Sequence, residues 1–353
     1  MNQKELVLQQ IKHQETDILP YHLEFEPGFD IEERLDEYYC NRAWRSLLDN
    51  AIRFLPGASE DLGVRTDSPS DFWMDRYGTS WRTDLRPWQI HEPALKEPSL
   101  ANYQLPEVDD LFDDDWLEKN LLESERYHDH FRVVGIGFGL FERTWTIRGF
   151  ENALSDIALH PDFFDELVER LCLQQMQIIE RLLVLPVDGV FVSDDWGYQD
   201  GVIIGAKRWR RFFKPRLAKM YDLVHRAGKF TFTHCCGSIE EILPDLIEIG
   251  LDVYESVQPE AKNNNPYQLK AKYGRDLTFM GGLGSQSTIP FGTPGEIKAE
   301  IRNLCTQMGK GGGFILHPAK QIQPETPLEN IVAVLEAFLK QAGVSTSRLL
   351  QPI

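Results

Sequence analysis

The stretch Lys229-Phe-Thr-Phe-Thr-His-Cys-Cys-Gly-Ser238 decides how the whole chain is interpreted. It has the pattern of a β-strand that ends in a polar cluster and is followed at once by a helix start. Because side chains alternate between the two faces of a strand, His234 and Cys236 are predicted to point the same way and Cys235 the opposite way. A histidine and a cysteine placed together at a strand end can share one soft metal ion, most often zinc. His234 and Cys236 are therefore the predicted metal ligands.

From residue 130 onward, short apolar segments alternate with segments of helical periodicity. The predicted strands are residues 131–138, 189–193, 229–233, 251–257, 277–282 and 313–316, and the predicted helices are residues 161–184, 207–227, 239–249, 265–273 and 294–309. This alternation is typical of a parallel sheet covered by helices. Repeated βα units without a phosphate-binding glycine turn favour an α/β fold of the closed (β/α)8 TIM-barrel type over an open doubly wound sheet. Gly135, Gly137 and Gly139 alternate, but no helix start is predicted after them.

The first 130 residues have a different pattern. Residues 1–12 are predicted as a helix, 17–25 as a strand, 31–54 as a helix, and a hairpin is predicted around Asp75-Arg-Tyr-Gly78. We expect residues 1–343 to form a single barrel domain, with 26–128 as an insertion that caps the barrel mouth as a lid and 344–353 as a tail. A separate small domain is the alternative for 26–128. Trp73, Trp81 and Trp88 could line such a lid, or could be ordinary packing.

Composition limits the classes of function. The 353 residues and 42% hydrophobic content suffice for one large core, and the net charge of -18 argues against a nucleic-acid partner. The five cysteines form no even, repeated framework, so free thiols in a reducing cytoplasm are predicted. Neither a signal peptide nor an uncharged apolar segment of about 18 residues is recognisable, so a cytoplasmic protein without a membrane span is expected.

In a TIM barrel the functional residues lie at the C-terminal ends of the strands, and polar residues follow several predicted strands here. We predict that they form one convergent pocket. Its members are Asp194 or Asp195 as a substrate-orienting group or proton carrier, Lys320 as a contact for an anionic group, and Trp196, Glu255, Gln258 and His317 as substrate-binding residues.

The predicted metal site needs a further ligand, because a catalytic zinc normally has three protein ligands and one open position. Asp195, Glu255 or His317 could supply it. Simpler interpretations stay open: aspartates after a strand are often turn or N-cap residues, and Lys320 could be a surface lysine. Cys235 is expected to be inert packing.

Five segments of the chain recur together in one enzyme superfamily. They are Phe191-Val-Ser-Asp-Asp-Trp-Gly197, Phe212-Phe-Lys-Pro215, His234-Cys-Cys-Gly-Ser238, Glu241-Ile-Leu-Pro-Asp-Leu-Ile-Glu-Ile-Gly250 and Pro324-Glu-Thr-Pro-Leu-Glu-Asn330. In these segments the chain resembles the uroporphyrinogen decarboxylase superfamily, which includes cobalamin-dependent methyltransferases. The resemblance covers nearly the whole chain and is strongest over residues 138–338. It implies a (β/α)8 barrel with its site at the C-terminal face of the strands.

Two branches of that superfamily differ at the site. The methyltransferase branch carries a His-x-Cys pair as two zinc ligands, matched here by His234 and Cys236, and its third ligand is a cysteine whose position is taken by Lys320. In this branch Lys320 is predicted as a catalytic residue that binds an anionic group or replaces the missing cysteine functionally. The decarboxylase branch holds its carboxylate-rich substrate with an Arg-Gln-Ala-Gly-Arg run, where this chain has Tyr21-His-Leu-Glu-Phe25. Its C-terminal histidine also falls on Lys320. Because Glu24 would repel such a substrate, the methyltransferase branch is the nearer one.

The resemblance implies a zinc-assisted methyltransferase. Such an enzyme moves a methyl group between a methylated small molecule or corrinoid protein and an acceptor, and the corrinoid is carried by a separate partner protein. Two alternatives remain: decarboxylation of a porphyrinogen or a smaller acid without a metal, and a barrel that binds a small molecule without catalysis.

Overall fold

A computed structural model describes residues 1–58, the backbone of 64–65, and residues 72–345, 347 and 349. The helices are α1 Gln3–Ile11, α2 Ile31–Tyr39, α3 Ala43–Leu47, α4 Trp116–Arg126, α5 Leu140–Arg148, α6 Phe150–Leu159, α7 Pro161–Leu182, α8 Ala206–Phe212, α9 Lys214–Arg226, α10 Leu243–Glu248, α11 Pro266–Tyr273, α12 Thr288–Phe291, α13 Pro294–Asn303 and α14 Leu328–Gln341. The strands are β1 Ile52–Leu55, β2 Val64–Arg65, β3 Phe72–Met74, β4 Ser80–Arg82, β5 Gln89–Glu92, β6 Phe131–Ile136, β7 Gly189–Ser193, β8 Gly197–Tyr198, β9 Gly201–Val202, β10 Phe230–His234, β11 Val253–Val257, β12 Thr278–Leu283 and β13 Phe314–Pro318. Short 3-10 turns lie at Val108–Leu111 and Glu240–Ile242, and one π-helical turn at Leu304–Met308.

The main sheet is parallel and closed. Its seven strands run in the order β1, β6, β7, β10, β11, β12, β13. Residues 20–25 lie between the two edges: Tyr21 and Phe25 form parallel bridges to Leu316 and Ile322. On the other side, the Tyr21 carbonyl accepts a hydrogen bond of 2.8 Å from the Ala51 N–H. The segment is thus the eighth member of the wall, and the predicted (β/α)8 barrel is confirmed.

Burial explains why these segments form the wall. Every residue of β11 and β12 is buried, because helices cover the outside and side chains fill the inside. Phe131, Phe232 and Met280 belong to the inner cluster, which Val7 of α1 joins. Outside, α7 begins with Pro161 in its first turn and turns one apolar stripe inward. The strand ends that carry the polar residues are therefore held by a continuous core.

Two local predictions are wrong. Residues 31–54 do not form one helix: α2 ends at Cys40, whose φ of 54° is left-handed, and Ile52–Leu55 is strand β1. Ile52 pairs with Phe131 of β6, and this tertiary pairing overrides the local helical pattern. A helix does start after the alternating glycines, since α5 begins at Leu140.

The predicted hairpin near residue 75 is present. Strands β3 and β4 pair in antiparallel register, with Trp73 opposite Trp81, in a four-stranded sheet β2-β3-β4-β5. The segment 26–128 thus contains this small sheet as well as barrel strand β1. Its role as a lid and the single domain over 1–343 stay predictions, and the tail 344–353 lies largely outside the described residues. Across the described part of the chain, no helix combines the length and apolar character that crossing a membrane requires.

Candidate metal centre and active site

Side chains from the ends of β7 and β10 meet at the barrel mouth. His234 Nε2 lies 3.3 Å from Cys236 Sγ and 3.5 Å from Asp195 Oδ1. One ligand atom from each of the three residues lies within 4.8 Å of the others. The Cys236 N–H also donates to Asp195 Oδ1 at 2.7 Å. His234 and Cys236 therefore lie on one face, as strand alternation predicts. Of the three candidates for a third ligand, Asp195 is the one that joins them.

Glu255 and His317 lie behind this group. Glu255 Oε2 accepts a hydrogen bond of 2.5 Å from His234 Nδ1, so the Nε2 side of the ring faces Cys236. Burial opposes ionisation of Glu255, but His234 and His317 lower its pKa to about 2. Burial likewise disfavours charged His234, yet Glu255 and Cys236 raise its pKa well above the usual value. His317 Nε2 is 3.6 Å from Glu255 Oε1, and its Nδ1 donates to the His22 carbonyl at 2.8 Å.

Asp194, unlike Asp195, is fully buried. Its carboxyl accepts hydrogen bonds from the N–H groups of Phe141 and Glu142 at 2.9 and 2.8 Å. The Trp196 indole N–H donates to it at 2.7 Å. Burial raises the pKa of Asp194 to about 7, against the lowering effect of these donors. Asp194 caps the first turn of α5, which gives it a structural task, and the catalytic role predicted for it stays a prediction.

Trp196 is also part of the fold. Its side chain is 1% exposed and packs edge-on against Trp209 at 5.5 Å. The ring is enclosed by the fold in this position, and the substrate-binding role predicted for Trp196 stays a prediction. Its backbone N–H donates to Cys235 Sγ at 3.2 Å. Burial raises the pKa of the Cys235 thiol well above its usual value, which suits inert packing.

Two glycines allow the ends of β7 and β10 to approach each other. A Cβ on Gly197 would lie 2.5 Å from the Cys236 carbonyl oxygen, and one on Gly237 would lie 2.7 Å from the Gly197 carbonyl carbon. Gly237 also has a φ of +77°, which favours glycine. The site thus depends on backbone contacts that leave no room for side chains.

Glu142 is a site residue that the sequence did not reveal. It lies in the first turn of α5, is 8% exposed, and interacts with Asp195, Asp194 and His234. Burial raises its pKa well above the ordinary value, and the two aspartates add to that effect. No local motif marks this residue, because its position follows from the cap that Asp194 provides from another strand.

Residues 20–25 contribute two further polar side chains. His22 Nε2 lies 2.8 Å from Glu24 Oε1, and the Gln321 amide donates to Glu24 Oε2 at 3.0 Å. Burial opposes ionisation, but His22 and Gln321 bring the pKa of Glu24 to about 2. The His22 and His317 rings are 5.3 Å apart. Alternation along residues 21–25, which puts positions 22 and 24 on one face, is the signal that could have identified His22.

A polar cavity of about 460 Å³ opens beside Cys236. Gln258 and Lys320 line it together with Gln199, Gln286 and Gln323. Gln258 Oε1 accepts a hydrogen bond of 3.0 Å from the Gly237 N–H, and Lys320 is exposed. Cys236, Gln258 and Lys320 thus share one cavity, while their roles in binding or catalysis remain predictions.

Known proteins resemble the chain in sequence and in fold. The family model for "Uroporphyrinogen decarboxylase (URO-D)" matches residues 129–340. Methylcobamide:CoM methyltransferase MtaA of Methanosarcina barkeri is 26% identical over 176 residues, which cover 50% of this chain and 48% of that protein. The chain therefore spans about half the length of this curated relative. Uroporphyrinogen decarboxylase of Coxiella burnetii is 22% identical over 266 residues, covering 70% of this chain and 68% of that protein.

A solved structure supports the same fold. It is described as a methyltransferase from Methanosarcina mazei, and it superposes with a TM-score of 0.68 at 17% identity, covering 96% of this chain and 98% of that chain. At this identity the likeness concerns the fold alone. The family model, by contrast, matches more than half of the chain, including β7, β10 and the residues that meet at their ends. The chain belongs to the uroporphyrinogen decarboxylase (URO-D) family.

Proposed function

We propose that the protein is a zinc-dependent methyltransferase that moves a methyl group from a methylated small molecule or a methylated corrinoid protein to a thiol acceptor. The observation that carries the proposal is the group of Asp195, His234 and Cys236 at the barrel mouth, with one ligand atom from each within 4.8 Å of the others. The relation to MtaA, a methylcobamide:CoM methyltransferase by name, supports the reaction class. The corrinoid would be carried by a separate partner protein.

The donor set fits zinc. A carboxylate oxygen, an imidazole nitrogen and a thiolate sulfur are the ligand types that zinc accepts, and three protein ligands leave a fourth position for an acceptor. Glu255 would hold the His234 ring by its Nδ1–H, which is the usual outer partner of a metal-binding histidine. When bound, zinc would supply a Lewis acid that favours the deprotonated form of a thiol at neutral pH.

The residues around this group have distinct tasks in the proposal. Gln258 and Lys320, which line the polar cavity beside Cys236, would bind the polar end of the acceptor. An exposed ammonium at that position suits an acceptor with an anionic group. Glu142, a buried carboxyl whose pKa is raised, would hold a proton close to Asp195.

The decarboxylase alternative is less well supported. A substrate with many carboxylates would have to lie against the barrel mouth, where Glu24 and Glu255 both have pKa values of about 2 and are ionised. Glu24 engages His22, and Glu255 engages His234. Histidines that already pair with internal carboxylates are less available to the carboxylates of such a substrate.

Metal content tests the proposal. We expect purified wild-type protein to contain close to one zinc per chain, measured by inductively coupled plasma mass spectrometry. Cys236→Ser and Asp195→Ala should lose that metal, whereas Cys235→Ser, the matched control on the opposite face of the strand, should keep it. A metal-free wild-type protein that chelator does not destabilise would refute zinc dependence, and equal loss in both cysteine variants would refute the ligand assignment.

Activity is then measured as transfer from methylcobalamin to a small thiol. The wild-type protein should demethylate methylcobalamin at a rate that falls in proportion to the zinc removed. Zinc-loaded protein that binds ligands but turns over no methyl donor would instead favour the non-catalytic binding barrel.

A further inference from the structure

A second cavity lies beside α5, and its walls are aromatic. It has a volume of about 270 Å³. Its lining residues are Trp73, Trp81, Trp88, Trp145, Phe138, Pro87 and Asp75. We call it the aromatic pocket. Four indole rings and a phenyl ring surround this one small space, and one of them, Trp88, is 55% exposed, so burial in the core does not account for its place in the lining.

The rings are held in fixed positions. Trp81 and Phe138 lie nearly parallel, 18° apart with centroids 6.1 Å apart, and Trp145 meets Phe138 edge-on at 6.3 Å. The Trp81 indole N–H donates to Asp75 Oδ2 at 2.8 Å, which fixes the tilt of that ring. Trp73 faces Trp81 across the hairpin. Trp81, Phe138 and Trp145 are therefore pre-organised, and a ligand would not have to order these three side chains.

The hydrogen-bonding capacity of the pocket is largely used. Of the described side chains that line it, Asp75 alone is charged. Its Oδ1 accepts from the N–H groups of Tyr77 and Thr79, both at 2.9 Å, in addition to the Trp81 bond. Arg143 Nη1 lies 3.9 Å from Asp75 Oδ2 and partly offsets its charge. A primary ammonium would therefore lose water at its N–H groups without gaining equivalent partners.

A quaternary ammonium has no such requirement. It carries a positive charge without N–H donors, and the negative faces of indole rings attract it, most strongly those of tryptophan. The net charge of -18 also favours a cation over an anion. We propose that the aromatic pocket is a binding site for a small quaternary ammonium compound, held between the indole faces.

The location gives this site a connection with the metal centre. Phe138 directly precedes α5, and Glu142 on the same helix interacts with Asp195. One helix, α5, thus connects the aromatic pocket, which Trp145 lines, with the candidate ligands. The proposal concerns binding and stands apart from the methyl transfer proposed above.

Calorimetric titration of the full chain tests it. The probes are choline, its neutral carbon isostere 3,3-dimethylbutan-1-ol, and anisole as a neutral aryl ether. We expect choline to bind about ten-fold more tightly than its isostere, because the two differ in charge and hardly in shape. Equal binding of the isostere, tighter binding of anisole, or no binding of choline would overturn the proposal.

Variants locate the site. Trp88→Leu should reduce choline affinity about ten-fold and Trp88→Phe by less, because phenylalanine keeps an aromatic face. Trp88 is exposed, so these variants should fold, and Trp73→Leu on the opposite wall should give the same loss. Phe291→Leu, at a residue that is 83% exposed on α12, is the control and should change nothing. Unchanged affinity in both Trp88→Leu and Trp73→Leu would refute the location.

Discussion

The residues that follow β7 and those that follow β10 have the same arrangement, but the sequence predicts the second arrangement more clearly than the first. At each end, one residue faces the mouth and its neighbour turns inward: Asp195 and Asp194 after β7, Cys236 and Cys235 after β10. The two inward residues meet at Trp196, whose indole N–H donates to Asp194 and whose backbone N–H donates to Cys235. A buried layer thus lies directly beneath the candidate ligands.

The difference between the two strand ends shows which parts of the site can be inferred from local sequence alone. Cys236 follows His234, the last residue of β10, by two positions, so alternation along the strand alone predicts that their side chains point together. The aspartate pair occupies the corresponding positions after β7, because Ser193 pairs with His234. Two identical residue types do not indicate which one is the candidate ligand, and their division of labour depends on α5. Only the first turn of that helix, which donates two N–H groups to Asp194, decides which carboxylate turns inward.

The largest expected effect comes from removing the inward aspartate. Asp194→Ala should lower the free energy of unfolding by about 3 kcal/mol, because three buried N–H donors lose their acceptor at about 1 kcal/mol or more each. Urea denaturation of the purified variant, followed by circular dichroism, measures the loss. Asp194→Asn keeps one acceptor oxygen and should lose roughly half as much.

Asp195→Ala is the matched control for this prediction. It should cost about 1 kcal/mol, since the Cys236 N–H loses its acceptor and the contact with His234 at 3.5 Å is long, but it should abolish metal binding. If the two alanine variants were equally stable, the division between the two aspartates would be wrong.

A smaller effect is expected from the residue that orients His234. Glu255→Gln keeps the shape of the side chain but removes its charge, and it should weaken zinc binding by about 10- to 100-fold. Competition with a chromophoric chelator measures the dissociation constant. Glu24→Gln makes the same chemical change at the same mouth without contacting a candidate ligand, and it should change zinc affinity by less than about three-fold. Similar losses in both variants would mean that overall charge, rather than orientation of the ring, controls the metal.

Much of the fold could be predicted from the sequence, because the alternation of apolar strand segments with helical segments is a pattern that short stretches of sequence carry. The parallel strands from β6 to β13 lie close to their predicted positions. Strand β1 was missed, since Ile52–Leu55 continues a helical pattern and becomes a strand only by pairing with Phe131–Val134 of β6. The start of α5 was missed for a related reason: Gly139 offers no side-chain cap, and the acceptor is Asp194, which lies 53 positions after Phe141 and 52 positions after Glu142.

The candidate site was predictable to a similar degree. His234, Cys236 and Asp195 were among the predicted residues, and Glu255 lies in contact with them, although behind the ring of His234 rather than in a predicted substrate pocket. Glu142 could not be identified from the sequence alone, because its position depends on how α5 docks on the loop after β7. For His22 the alternation along residues 21–25 was a usable local signal, but its place beside His317 depends on how that segment docks in the barrel wall.

The smallest expected effect concerns Lys320, which follows β13 and lines the polar cavity with Cys236. Lys320→Gln should leave zinc content unchanged and alter the free energy of unfolding by less than about 0.5 kcal/mol, because the side chain is exposed. It should raise KM about three- to ten-fold for an anionic thiol acceptor and leave KM for a neutral thiol of similar size unchanged, since one exposed charge contributes about 1 kcal/mol. Steady-state kinetics with both acceptors measure this difference. Loss of zinc in this variant would mean that the region after β13 completes the metal centre, and Asp195 would then no longer be the third ligand.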